Sequence, residues 1–318
     1  MAPVPIRFAW RCWLAARRRV FPILLSPIGH LRSHRQIRAS YPPGPVVLGP
    51  RVALVCHFDR HGTLREDLPA YLAALGAAGL SVVLVSNAGY LAPSALERLR
   101  GLVACVLVRR NVGYDFGAWR DALEHLGLPR ADTQFLLLAN DSVYGPFAPL
   151  APLLARMDFA VADLWGMTDS LQVRPHLQSY FLAVGPRALH STAWSAFWRG
   201  VRPVPSKHWL IRWQEIGLTQ RLLAAGFSYR ALFPYGELIA RATPRTKRFR
   251  AALAGTTPLN PSVELWRELL AAGFPFIKRE LLRDNPTRAA DLGDWREQVH
   301  AHFDADTGPI ERDLAAGR

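Results

Sequence analysis

Downstream of the linker Tyr41-Pro42-Pro43-Gly44-Pro45, apolar positions alternate between two rhythms. Val52 to Cys56, Leu80 to Val85, Val103 to Val108 and Phe135 to Leu138 are short, nearly continuous Val/Leu runs. Between them, Leu68 to Leu75, a stretch capped by Ser94 and carrying Leu96 and Leu99, and Phe116 to Leu126 closed by Gly127 have helical spacing. Unbroken apolar strands separated by amphipathic helices predict an α/β fold with a mostly parallel sheet covered on both faces. Ligands of such sheets bind beyond the carboxyl ends of the strands. The polar residues after each strand are therefore the candidates: His57 and Asp59, Ser86 and Asn87, Arg109 to Asp115, and Asn140 to Ser142. All four sets should meet on one rim.

The second half is less regular. Trp165-Gly166 and His176 to Phe181 precede a helix expected over Trp213 to Ala225, ended by Gly226. Asn260-Pro261, a cap followed by proline at the first helical position, opens a further helix running to Gly273, with Leu265, Trp266, Leu269 and Leu270 as its apolar stripe. Three units are expected: a basic leader and linker over 1–47, an α/β domain over 48–245 and a helical extension over 246–318.

Composition changes this picture at the front of the chain. The 318 residues are 50% hydrophobic and 20% charged, which fits a globular protein and excludes wholesale disorder. The net charge of +14 is carried almost entirely by arginine, with Lys207, Lys247 and Lys278 as the lysines, and its distribution says more than its size. No Asp or Glu precedes Asp59, whereas Arg7, Arg11, Arg17, Arg18, Arg19, Arg32, Arg35 and Arg38 do, interleaved with Phe8, Trp10, Trp13, Leu14 and Phe21. That mixture suits an anionic lipid headgroup layer, and the uncharged stretch from Val20 to Gly29, broken by Pro22 and Pro27, is too short to span a bilayer. A cytoplasmic protein peripheral to the inner face of the membrane is expected, with no nucleic-acid partner, since no basic aromatic platform occurs inside the α/β region. Cys12, Cys56 and Cys105 are odd in number and widely spaced, which reads as reduced thiols.

Three segments could carry chemistry. Arg110-Asn111-Val112-Gly113-Tyr114-Asp115 follows a strand and opens a helix, where amide groups and the helix dipole favour a phosphate, although Asp115 is equally suited to cap that helix. Asn140-Asp141-Ser142 follows a buried strand, and a single carboxylate such as Asp141 suffices for Mg²⁺ or Mn²⁺ when phosphates and water complete the shell, although an Asp in a turn needs no such role. Glu215 leads the amphipathic helix, a placement that the dipole stabilises whether or not the carboxylate reacts.

In their order, the runs RRNVGYDFGAW, LLLANDSVYGPF, LWGMTDS with HLQSYFL, WQEIGLTQRLLAAG and NPSVELWRELLAAGFPFIKRELLRDNP resemble the rhamnan synthesis protein F family, from about Val52 to Pro286. The resemblance implies a GT-A-like nucleotide-sugar fold. It also implies a glycosyltransferase that moves rhamnose or a related deoxysugar from a nucleotide donor, dTDP-rhamnose or similar, to a lipid-linked saccharide of a growing cell-surface polysaccharide. By that resemblance Asp141 lies where such enzymes bind metal, and Glu215 lies where inverting relatives carry the catalytic base. Asp59, Asn87, Arg110, Asn111, Gly113, Asp115 and Asn140 would then line the donor site, and Trp165, His176 and Gln178 the acceptor site. Two departures stand out: the metal triplet has one carboxylate, and Ile216 rather than a second acid follows Glu215.

Two rival readings come from other classes. His57-Phe58-Asp59-Arg60-His61-Gly62-Thr63-Leu64 resembles the haloacid-dehalogenase phosphatases, with Asp59 as nucleophile, but His61 stands where their second Asp carries the proton. A membrane-docked module that binds sugar nucleotides without turning them over is the other, since fold does not imply function.

Overall fold

The structure of the protein, a computed structural model, describes residues 36–317 apart from 205, 245, 246, 288, 290 and 291. The expectations for the leader, Cys12 included, lie outside the described residues except at Arg38 and beyond. Among the described residues the strands are β1 (Ile37–Tyr41), β2 (Arg51–His57), β3 (Ser81–Ser86), β4 (Cys105–Arg109), β5 (Phe135–Asn140), β6 (Val143–Tyr144), β7 (Leu164–Ser170), β8 (His176–Leu177), β9 (Phe181–Val184), β10 (Tyr229–Phe233) and β11 (Ile277–Lys278).

Because Val52 to Cys56 are apolar on both faces, β2 can only be a central strand. It pairs in parallel with β3 on one side and β5 on the other, and the main sheet runs β1-β4-β3-β2-β5-β9-β7-β10, with β8 added to β7. Strands β2, β3, β4, β5, β7 and β10 point one way; β1, β8 and β9 oppose them. Helices Leu68–Ala77 and Pro93–Leu99 bury Tyr71, Leu72, Leu75 and Leu99 against one face of the sheet. Helices Tyr114–Leu126 and Thr192–Gly200 bury Phe116, Trp119, Trp194 and Phe197 against the other. The mixed α/β class with a central sheet flanked by helices is thus as the hydrophobic rhythm predicts.

Several boundaries differ, each for a local reason. Ile37–Tyr41, read from sequence as leader, forms an edge strand antiparallel to β4. The Pro93–Leu99 helix starts on proline with Ala92 as its cap, so Ser94 lies inside it. Gly113, at φ 81°, caps the Tyr114–Leu126 helix and Asp115 falls in its first turn; Gly127, at φ 63°, closes it. The expected helix from Asn260 is interrupted at Leu265 (φ −105°, ψ 29°), giving Pro261–Glu264 and Trp266–Ala271. There Glu264 Oε2, four residues on, reaches back to accept the Asn260 amide at 2.7 Å and so satisfies a donor at the helix start.

Residues beyond 246 complete the core of the sheet. Leu265, Leu269, Phe274 and Phe276 pack in the cluster that contains Val55, Leu68 and Tyr71, while Trp266, Leu270, Leu281, Trp295, Val299 and Ile310 surround Tyr144 from the turn after β5. Cys56 and Cys105 are free and buried, and burial pushes the Cys56 thiol well up. No helix among the described residues is long and apolar enough to cross a membrane.

Leu269 is 1% exposed, so Leu269→Ala is expected to lower unfolding free energy in urea by about 2–5 kcal/mol. A loss well under ~1 kcal/mol would mean that the C-terminal helices contribute little to the core of the sheet.

Candidate functional site

From β2 the chain winds to β3 and β4 on one side and to β5 on the other, so a crevice opens above its carboxyl end, where such folds hold ligands. The β3 and β4 loops are fixed there by one buried guanidinium. Arg109, 1% exposed, donates to Asp121 Oδ2 from Nε at 3.0 Å and Nη2 at 2.7 Å, to the Val112 carbonyl at 2.8 Å, and to Asn87 Oδ1. Removing one partner of so buried a pair typically costs about 3–5 kcal/mol. The loop is tight as well as bonded: a Cβ on Gly117 would lie 2.4 Å from the Val112 carbonyl oxygen, and one on Gly113 would lie 2.7 Å from Pro203.

The turn after β5 is the second component. Asn140 donates to Asp115 Oδ2 at 2.7 Å and accepts from the Ser142 amide at 3.1 Å and the Ser142 hydroxyl. Buried Arg65, paired with Asp67 at 2.7 Å, donates to the carbonyls of Asp141 and Val143 and so holds the turn from below. From above, β11 pairs with β6 antiparallel, Lys278 opposite Val143, and the Arg279 amide donates to the Ser142 carbonyl at 3.0 Å. This pairing sets the Lys278 ammonium 2.8 Å from Ser142 Oγ and 4.2 Å over the Tyr180 ring. Arg279 Nη1 lies 3.8 Å from Asp141 Oδ2.

Glu215 ends a π-helical turn, Ile211–Glu215, that leads into the Ile216–Ala224 helix, in place of the continuous α-helix expected. Such turns are frequent at functional sites. Glu215 Oε2 accepts the Ser179 amide at 3.0 Å and the Ser179 hydroxyl, and Oε1 lies 3.7 Å from His176 Nε2. The His176 ring is oriented by Nδ1 against the Arg174 carbonyl at 2.8 Å. Burial disfavours the Glu215 charge, but His176 and the two Ser179 donors outweigh it and hold the carboxyl below its usual range. The reciprocal effect raises His176: burial opposes its charge, and Glu215 with the Arg174 carbonyl overcomes that.

Lys278 links the two halves. Burial lowers its ammonium to about 8, even though Glu215, Glu280 and Asp115 all favour the charged form. Burial and the neighbouring Asp141 carboxylate push Asp115 up, while the bonds from Cys56 and Asn140, together with Lys278, pull it back. The residues do not fit a divalent cation at Asp141. Asn140 Oδ1 is taken by Ser142, the one carboxylate of the turn faces Arg279, and Lys278 occupies the Ser142 hydroxyl. Two unit charges about 4 Å apart interact by ~4 kcal/mol at an effective dielectric near 20, and a divalent ion doubles the repulsion from each protein cation. Among the described residues, no group of three or more His, Cys, Asp or Glu side chains is arranged to hold a metal.

Of the residues expected on the rim, Asn140, Asp141 and Asp115 lie together, and Lys278 couples them to Glu215 and hence to His176. Others have different work. Asn87 is spent on Arg109, Cys56 Sγ and the Tyr114 carbonyl. Asp59 closes its own turn, accepting from the His61 and Thr63 amides and the Thr63 hydroxyl; burial opposes its charge and these bonds hold the carboxyl low. Gln178 bridges Thr168 to Asn260 and Ser262. Arg110 and Asn111 are exposed, with the Arg110 amide on the Gln36 carbonyl at 3.1 Å. Trp165 is a correction: it sits near the amino end of β7, opposite the rim, 7% exposed, with its ring N–H on the Asp158 carbonyl at 3.0 Å. Lys278, Arg279, Arg65, Ser179 and Tyr180 are on or under the rim without having been singled out. The rarity of lysine in this chain was the available signal for Lys278.

With only Lys207 and Lys247 as other lysines, reductive ¹³C-methylation resolves Lys278 by NMR. Its titration midpoint is expected at about 8. Glu215→Gln, by removing a carboxylate that favours the ammonium, should move it lower. A midpoint at the ordinary 10.5 would show that the amine is not desolvated in this crevice.

Comparison with known proteins adds the following. The chain is 32% identical over 206 residues to virulence protein VirA of Vibrio anguillarum, covering 60% of this chain and 66% of that protein. It is 31% identical over 192 residues to protein y4gN of Sinorhizobium fredii, covering 59% of this chain and 50% of that one. It therefore spans about half to two thirds of the length of these relatives. A solved mannosyltransferase from Pyrobaculum calidifontis, in complex with GDP-Man and Mn²⁺, matches over 96% of this chain and 89% of its own at 15% identity, with a TM-score of 0.37, too low to locate any residue. The family model described as rhamnan synthesis protein F matches residues 82–292. The chain belongs to the rhamnan synthesis protein F family.

Proposed function

We propose that the protein is an inverting glycosyltransferase with a GT-A-like fold. It moves a sugar, rhamnose or a related deoxysugar, from a nucleoside-diphosphate donor to a saccharide acceptor. The observation that carries this reading is the pairing of an anion-handling turn with an oriented carboxylate: Asn140 to Ser142 under Lys278 on one side, Glu215 held by Ser179 and His176 on the other. Family membership supports the sugar chemistry. The lipid-linked acceptor, a dTDP-linked donor and attachment of the basic leader to an anionic membrane belong to the same reading.

The chemistry follows from what the two sides can do. The acceptor hydroxyl oxygen bonds to the anomeric carbon as the bond from that carbon to the phosphate oxygen breaks, and the bonding pair leaves on the diphosphate. The hydroxyl proton passes to Glu215, which must be ionised to take it. Ser179 and His176 keep that carboxylate charged and aimed, so the base is available without a preceding titration. Negative charge growing on the diphosphate is met by fixed positive groups on the opposite side of the crevice, which need no reorganisation as it develops. The phosphatase alternative loses ground because Asp59 Oδ1 is committed to its own turn and His61 bonds Arg60 at 2.8 Å.

Glu215→Gln is expected to lower kcat for transfer by roughly 10²- to 10⁴-fold while leaving donor affinity nearly unchanged. Lys278→Met should weaken the donor instead. Full turnover in Glu215→Gln would remove this residue from the mechanism, and donor binding without turnover in the wild type would favour the non-catalytic module. The acid limb of the kcat profile should lie below the usual carboxylate range, because Glu215 is depressed. Ser179→Ala, by removing a donor to the charged form, should shift that limb to higher pH.

A further inference from the structure

We propose that Lys278 and Arg279, not a divalent ion, supply the positive charge met by the departing diphosphate, so that this protein binds and turns over its donor without metal. The inference rests on the glycosyltransferase reading above and specifies how its donor side works.

Four observations converge on it. The first is delivery. The β6–β11 ladder and the bond from the Arg279 amide to the Ser142 carbonyl fix both residues against the turn after β5, although they lie more than a hundred positions downstream. The second is the state of the Asn140-Asp141-Ser142 donors, which are already engaged by Ser142, Arg279 and Lys278. The third is spare capacity. An ammonium offers three donors, and the only hydrogen bond shown for Lys278 Nζ among the described residues is the one to Ser142 Oγ. Arg279 has Nη2 3.6 Å from Asp313 Oδ2, and Nη1 3.5 Å from the Asp141 carbonyl and 3.8 Å from its Oδ2, contacts long enough to leave its terminal donors only partly used. The fourth is retention: Asp141 Oδ2 at 3.8 Å and Asp313 Oδ2 at 3.6 Å hold the Arg279 guanidinium in place, and Glu215, Glu280 and Asp115 favour the charged form of Lys278. A diphosphate entering the crevice would find cations held in place by carboxylates, with donors still to give. Charge-assisted bonds from ammonium and guanidinium groups to phosphate are among the strongest available to a side chain.

The chemical balance is that of the transfer itself. The glycosidic carbon exchanges one oxygen for another, the pair from the broken bond stays on the diphosphate beside Lys278 and Arg279, and the acceptor proton goes to Glu215. No redox partner or further reactant is required.

The test uses the purified full chain with dTDP, GDP and UDP as calorimetric probes, and nucleotide-sugar turnover as a second readout, each in excess EDTA and again with Mg²⁺ or Mn²⁺. Expected are wild-type affinity and turnover the same in EDTA as in metal to within about twofold, and a loss of nucleoside-diphosphate affinity of roughly 10- to 100-fold in Lys278→Met, the range for losing one charge-assisted contact. Affinity for the nucleoside lacking phosphate should be unchanged in that variant, which a general loss of structure would not spare. Lys278→Arg should retain much of the binding. Loss of wild-type binding in EDTA with recovery in Mn²⁺ overturns the inference and leaves the glycosyltransferase reading standing, and this arm needs no variant to fold. Failure of the wild type to bind any nucleoside diphosphate or nucleotide sugar, with or without metal, overturns both.

Discussion

Two residues of antiparallel ladder, Ile277 opposite Tyr144 and Lys278 opposite Val143, decide what the crevice can do. Without that pairing the turn after β5 would be an acidic loop above a parallel sheet. With it, Asp115, Asp141 and Glu215 share a neighbourhood with two cations that cannot drift away, because the backbone that carries them is hydrogen-bonded to the turn itself. The ladder is short, but it is anchored on both sides. Tyr144 is fully buried, its hydroxyl donates to Asp313 at 2.6 Å, and Trp266, Leu270 and Leu281 pack around it. The apolar core around Tyr144 therefore stabilises an electrostatic arrangement that would be costly in isolation.

The arginines divide by burial into those that hold the scaffold and those that face the crevice. Arg109 and Arg65, 1% and 8% exposed, spend their donors on carboxylates and on loop carbonyls, fixing the loops after β4 and β5. Buried guanidiniums suit this task because five fixed donors satisfy several orphaned acceptors at once. Arg279 and Lys278 are less completely paired. An electrostatic site needs both kinds, since free charges are useful only where the backbone beneath them is rigid.

Much of the fold was legible because its signal is local. The Val/Leu runs at Val52, Leu80 and Phe135 and the glycine stop at Gly127 lie where the pattern puts them, give or take a residue or two. The same local reading put Asn140, Asp141 and Asp115 together on one rim, since residues at strand ends follow from strand positions. It failed where contacts at long range decide. Trp165, expected in the acceptor site, is a core residue hydrogen-bonded to Asp158. Gln178 reads as acceptor lining and is consumed by Thr168, Asn260 and Ser262. Ile37–Tyr41 has no strand signature beyond its company, because an edge strand borrows its regularity from β4. Lys278 is invisible as a site residue until the β6–β11 register is known.

The large sequence separation between Ser142 and Lys278 also has a bearing on how the protein is made. Contacts so far apart in the chain close late, after local elements have formed and loop entropy has been overcome. During synthesis the central strands emerge first, with Asp115 and Asp141 brought together before any lysine exists to offset them. A nascent chain therefore carries Asp115 and Asp141 without the two cations of the β6–β11 ladder until the segment around residue 278 has emerged.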